Sequence, residues 1–265
     1  MSAVSATLAT TFQGPGAMSK RRLLGAYLAE ARYETIRMLR TPAFAIPFLG
    51  LPVILYVLFG VVIFGAALAK DPQAGPFVFT GFSVFGMMGP GMFGFGMAVA
   101  VEREQGLLRF KRALPMPPAA YLLAKMLMAV IFAVAVMATM IAAAPLAHLQ
   151  IGASRALGVC ALNILGSLPF CAIGLFLGTR TTSRSAPAVV NVLYQLMMHL
   201  SGIFYPLPRF LRMISPVWPT YHLQQMVFGV LGVPHQGTQL VHATVLLGVT
   251  WLLTAASIRR LRLVG

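Results

Sequence analysis

Six stretches of this chain carry no Lys, Arg, Asp or Glu: residues 41–69, 72–101, 126–154, 156–179, 185–208 and 213–258. A helix that crosses a bilayer needs about 20 apolar residues, so each of the first five runs can hold one span. Only 9% of residues are charged, with 58% hydrophobic and a mean hydropathy of +0.83. A soluble domain carries about 25% charged residues, so a water-facing surface cannot be made from this chain. The runs are apolar on every face rather than at alternate positions. This excludes barrel strands and leaves an all-α integral membrane protein.

The sixth run is long enough for two spans but is broken by Pro216, Pro219 and Pro234. The piece from Tyr221 to Val233 is too short to cross, so it is expected as a short helix at the outer surface. The expected spans are then six, at about residues 43–69, 76–100, 122–145, 156–179, 186–205 and 240–257. Short re-entrant outer helices are expected between spans five and six. Cytoplasmic loops are enriched in Lys and Arg. With the N-terminus inside, 16 of the 20 basic residues fall inside, leaving Lys70, Arg155, Arg209 and Arg212 outside. An even number of spans with both termini cytoplasmic follows. The formal net charge of +15 is then a topology signal and an attraction to anionic lipid, not a nucleic-acid footprint.

Residues 1–18 are small and polar and lack the pattern of a cleaved signal; a disordered tail is expected, followed by a single membrane domain over 19–265. From Lys20 to Arg40 the apolar positions Leu24, Tyr27, Leu28, Ala31, Thr35 and Met38 recur at helical steps, with Glu30, Glu34 and Arg37 on the other side. This predicts an amphipathic helix along the inner membrane face. Thr41-Pro42 ends it. Cys160 and Cys171 lie about 16 Å apart along one helix, too far for a disulfide. No metal-ligand spacing occurs, although five His and 16 Met bring a copper or haem exporter to mind.

The chemistry that remains lies between the second and third runs. Glu102-Arg103-Glu104-Gln105-Gly106-Leu107-Leu108-Arg109-Phe110-Lys111-Arg112 is followed by Pro115, Pro117 and Pro118. Gly106 permits a turn. Leu107, Leu108 and Phe110 beside Lys111 and its basic neighbours make a short, sticky helix. The two glutamates would be unfavourable against anionic lipid, which favours a protein partner or a pairing with Arg103 over simple headgroup binding. None of the four lysines follows a glycine, so no phosphate loop of the form G-x-x-x-x-G-K-[ST] exists. No catalytic constellation is evident either: Ser201 with His242 resembles an intramembrane serine protease only faintly, because His199 stands where that motif has glycine.

The Glu102–Leu108 run resembles the cytoplasmic loop of type-2 ABC-transporter permeases, where an E-R-E-x-G-T-L-E-like sequence follows the second span. Ala113 to Pro118 and Tyr121 to Lys125 stand where that family has its short helix and proline stretch. Gly202 to Pro208 and Ser215 to Tyr221 resemble its outer re-entrant helices and N-P-x-x-Y-like stretch. Leu107 replaces the usual threonine, Arg109 a glutamate, and Ser215 an asparagine. The resemblance implies the membrane subunit of an ATP-driven exporter in a bacterial inner membrane. It implies a homodimer, or a pair with a related permease, joined to separate ATPase subunits. ATP and Mg would bind those subunits, and this chain would hold no cofactor. Glu102, Arg103, Glu104, Gly106, Leu107, Leu108, Phe110 and Lys111 would form the coupling loop.

Two further groups are pathway or interface candidates. Asn191, Gln195 and His199 recur at i, i+4 and i+8, one helical face. They line a route or a subunit interface, or else bond between helices of one subunit. Phe82, Phe85 and Met88 stand in a glycine-rich span with Pro90, a soft wall suited to a lipophilic, drug-like, lipid or glycoconjugate substrate or simply to packing. A secondary transporter or channel working without an ATPase is the alternative; it predicts ionisable residues deep in spans, and no acidic residue is placed there.

Overall fold

The computed structural model describes residues 20–65, 70–107 and 118–264. Among these residues every regular element is helical. α1 (Lys20–Leu39) leads through Thr41 into α2 (Pro42–Val57), which continues as a π-helical turn over Leu58–Ile63. Then follow α3 (Ala74–Glu104), α4 (Pro118–Ala143), α5 (Ala153–Gly178) and α6 (Ala186–Leu200). A helical turn at Arg209–Arg212, a 3-10 turn at Ser215–Val217, α7 (Pro219–Leu231) and α8 (Gln239–Val264) complete the chain.

Among the described residues, five stretches are long and apolar enough to cross a membrane: Pro42–Ile63, Ala74–Glu104, Tyr121–Ala147, Ala153–Gly178 and Gln239–Leu261. The expected fifth span, 186–205, is shorter than its apolar run suggests. α6 ends at Leu200 after 15 residues, about 22 Å of helix against a hydrocarbon core of about 30 Å. Gly202 at φ +81° turns the chain there, and Pro206 follows before any helix resumes. Composition counts the apolar residues of this run but not the turn that divides them.

α3 is the centre of the structure. Its side chains are buried along nearly its whole length, including Phe79, Phe82, Met87, Met88, Met92 and Phe95. Glycines make this possible, because small residues let helix backbones approach in a membrane. A Cβ on Gly91 would stand 2.8 Å from the Cys171 nitrogen of α5, and one on Gly174 would stand 2.5 Å from the Gly91 oxygen of α3. The G-x-x-x-G pair Gly174 and Gly178 is therefore a seam between backbones. At one end of α3, Phe77 stacks on Phe228 of α7 with centroids 5.8 Å apart. At the other end, α3 meets α1 and α4.

Candidate functional site

The end of α3 carries a cluster of four charges, three of them buried and the fourth, Arg37, half-buried. Glu102 is 4% exposed and Glu34 of α1 is 2% exposed. The Arg37 guanidinium donates from Nη2 to Oε1 of both carboxylates, each at 2.9 Å. Lys125 Nζ, on the first turns of α4, reaches Glu34 Oε1 at 2.5 Å and Glu102 Oε1 at 3.2 Å. The Tyr121 hydroxyl donates to Glu102 Oε2 at 2.5 Å. Two anions and two cations balance, which is the condition for burying charge without a large desolvation penalty. Burial opposes the charge on Arg37, but the two carboxylates outweigh it and hold the pKa above the ordinary arginine value. The cluster joins three helices that sequence separates by up to 91 positions.

This differs from the expected face of α1. The helical pattern puts Glu34 on the polar side, yet it is buried together with Ala31, Thr35 and Met38, whereas Leu24 and Leu28 are exposed. The reason is Lys125: a carboxylate that finds a buried cation is more stable facing the bundle than facing water alone. A signal was present, since Ala31, Glu34 and Met38 share one helical face.

The next two residues go elsewhere. Arg103 donates to the Thr179 carbonyl through Nη1 and to the Thr181 carbonyl through Nη2 at 2.6 Å. These carbonyls follow the C-terminus of α5, where acceptors lack helical partners and a cation is favoured. Glu104 is exposed and accepts the Ser183 hydroxyl. Glu102 turns inward to Arg37 and Lys125, and Glu104 turns outward to Ser183. Gly106 follows at φ +72° with nothing near the position of a Cβ, and Leu107 is 37% exposed. Leu108, Phe110 and Lys111 lie outside the described residues. Because space is free at Gly106, a substitution there acts through the backbone only. Gly106→Val is expected to cost about 1–2 kcal/mol, the left-handed penalty of an L-residue, and Gly106→Asn less; thermal unfolding of the purified variants measures both.

A second feature is a cavity of about 630 Å³ between α2, α3 and α6. Phe59, Phe64, Phe82, Phe85, Phe204 and Tyr194 form most of its wall, with Gln195 as a polar member. Its rings are in contact: Phe82–Phe204 at 4.9 Å, Phe85–Phe204 at 5.7 Å and Phe85–Tyr194 at 5.7 Å. Of the pathway candidates, Phe82, Phe85 and Gln195 line this cavity. Met88 is fully buried in the core and does not. Asn191, Gln195 and His199 are exposed on α6, while Ala186, Val190, Tyr194 and Met197 form its buried face. Asn191 and His199 therefore face away from the bundle, whereas Gln195, though exposed, borders the cavity.

Helices of this length and hydrophobicity, packed around a glycine-lined centre, define a multi-pass membrane protein. The ABC-2 type transporter family matches residues 26–231, and the chain belongs to that family. It is also 31% identical, over 153 residues, to a protein of Bacillus subtilis (strain 168) that carries the name transport permease YvfS. That match covers 53% of this chain and 59% of the relative.

Proposed function

We propose that this chain is the membrane subunit of an ATP-driven exporter, that it works as a dimer, and that a separate ATPase subunit docks on the loop after α3. The observation that carries the reading is the division of labour in Glu102-Arg103-Glu104. Glu102 fastens the end of α3 to α1 and α4, and Arg103 fastens it to the end of α5. Glu104, Gly106 and Leu107 remain at the surface. A push on that exposed tip is thus delivered to four helices at once. A loop that only contacted lipid would not need such an anchor.

In this reading α6 completes a sixth span together with the turn that follows it. Both termini face the cytoplasm of a bacterial inner membrane, as the basic residues favour. The exposed Asn191, Gln195 and His199 stripe would be costly against lipid, so a second copy or a related permease covers it. The aromatic cavity suits a lipophilic substrate, because its wall offers ring faces and edges with little polar surface.

The test is pull-down of the ATPase with transport measured in the same vesicles. Glu104→Lys reverses an exposed charge and Leu107→Asp removes exposed apolar area. Both leave the buried cluster intact, so insertion is expected to be normal. Each variant is expected to lose ATPase recovery or to hydrolyse ATP without transport. Wild-type recovery and export by both variants would sink the docking assignment.

A further inference from the structure

At the opposite end of α3 from the charge cluster, two buried histidines face each other. His222 of α7 is 4% exposed and His242 of α8 is 3% exposed. Their Nδ1 atoms are 2.8 Å apart. His222 Nε2 lies 2.8 Å from the Pro216 carbonyl oxygen, and His242 Nε2 lies 2.6 Å from the Gln236 carbonyl oxygen. A carbonyl only accepts, so both Nε2 atoms must carry hydrogen. The Nδ1 pair needs one hydrogen between them: with none, two lone pairs oppose, and with two, the hydrogens collide. The four ring nitrogens therefore hold three protons. Two neutral imidazoles supply only two. The arrangement is satisfied only when the pair carries one positive charge.

We propose that His222 and His242 bind a single proton between them, and that this shared proton latches α7 and the Pro216 turn to α8 and the Gln236 turn. The latch opens when that proton leaves to water or when a second one arrives. Close approach is built in at Gly237, at φ +75°, where a Cβ would stand 3.2 Å from His242 Nε2. The Gln236 N–H is held in turn by Gln225 Oε1 at 2.7 Å, so losing the pair loosens a connected set of contacts.

The groups around the pair leave the charge to the histidines themselves. Tyr221 presents its ring to both, with centroids 5.4 and 6.0 Å away, and its hydroxyl reaches Gln236 Oε1 at 3.3 Å. Arg212 shares a cavity wall with Tyr221 and Gln236. Arg155 of α5 approaches Gly232 at the far end of α7, and His235 bonds toward the Val233 carbonyl. All five acidic residues precede position 105; Asp71, exposed before the start of α3, holds the Gln73 N–H at 2.9 Å. The one charged group that shifts His222 is His242.

The sign runs in both directions. Burial first, and then the charge of His242, hold the His222 imidazolium below the ordinary histidine range despite the Pro216 carbonyl. The folded pair thus binds fewer protons than two free histidines in acid, and its contribution is lost as pH falls. Once the shared proton is gone, the two Nδ1 lone pairs 2.8 Å apart oppose each other, so the contact is also lost as pH rises. Both steps belong to the pair rather than to either ring.

Hydrogen exchange of the full chain in lipid nanodiscs tests this, read over residues 215–238 from about pH 5 to about pH 8 and corrected for the intrinsic chemical rate. Protection is expected to pass through a maximum and to fall about fivefold on each side, the worth of one net hydrogen bond. His222→Gln and His242→Gln are each expected to flatten the profile, while His235→Gln keeps it. If neither pair variant folds, 15N-histidine spectra of the wild-type chain decide. A shared Nδ1 proton and two coupled titration steps are expected; two independent titrations at ordinary histidine values would overturn the proposal. So would an unchanged maximum in His242→Gln. Protection that instead requires Zn2+ and disappears on chelation would show a metal in the proton's place, and would overturn it too.

Discussion

Lys125→Met is expected to produce the largest loss of folded protein of any single change in the chain. The substitution nearly preserves volume, so the core is not left with a void. What it removes is one of two cations from a closed cluster. Glu34 and Glu102 would then share Arg37 alone, with one negative charge unbalanced in a buried site. Breaking a buried pair from one side costs about 3–5 kcal/mol, a large part of a total stability of about 5–15 kcal/mol. Adding Glu34→Gln to Lys125→Met restores balance, because Glu102 keeps Arg37 at 2.9 Å. The double variant is therefore expected to recover most of the loss. The readouts are yield of detergent-extracted, monodisperse protein and the midpoint of thermal unfolding. A wild-type midpoint for Lys125→Met, or a double variant no better than the single one, would show that the cluster is not a closed ionic unit. The same cycle in the transport assay separates a structural anchor from a coupling element: the double variant should fold, and any transport defect it retains belongs to the linkage between α1 and α4.

Five of the six expected spans and the break after Leu39 were legible because they depend on local properties: apolar length, and a proline that cannot continue a helix. The turn at Gly106 was legible for the same reason. Burial of Glu34 was not. Along α1 it shares a face with Ala31 and Met38 but also stands beside Glu30 and Arg37, and the residue that decides for burial lies on α4, brought near only by tertiary packing. Glu102-Arg103-Glu104 likewise reads as one motif in sequence. In space the three side chains reach α1 and α4, the end of α5, and Ser183. Adjacent helical positions point about 100° apart, so three consecutive residues cannot share one partner. The histidine pair was hidden by a separation of 20 positions, and a proton-sharing pair needs none of the close spacing of metal ligands. The end of α6 at Leu200 was obscured because an apolar run does not reveal where a helix turns.

Gly174→Ala is expected to destabilise the chain although alanine is the better helix former by about 1 kcal/mol. The added methyl would stand 2.5 Å from the Gly91 oxygen and 2.9 Å from the Met92 oxygen. Both are backbone atoms within α3, so no rotamer change can clear them; α3 and α5 must separate. Gly178 repeats the situation one turn on, with a Cβ at 2.7 Å from the Gly96 oxygen. Overpacking of this kind costs about 1–3 kcal/mol, and Gly174→Val, larger and branched, is expected to exceed alanine. The consequence reaches the site. α3 carries Glu102 at one end, and α5 offers the carbonyls beyond its last turn to Arg103, so a widened seam pulls the Arg103 contacts apart. Gly248→Ala is the matched control: it lies within α8 with nothing within 4 Å of a Cβ, and it is expected to be neutral or slightly stabilising. Thermal unfolding of the three variants in one detergent compares them directly. If Gly174→Ala and Gly248→Ala unfold at the same midpoint, the α3–α5 seam is not a backbone contact and its glycines serve helix flexibility instead.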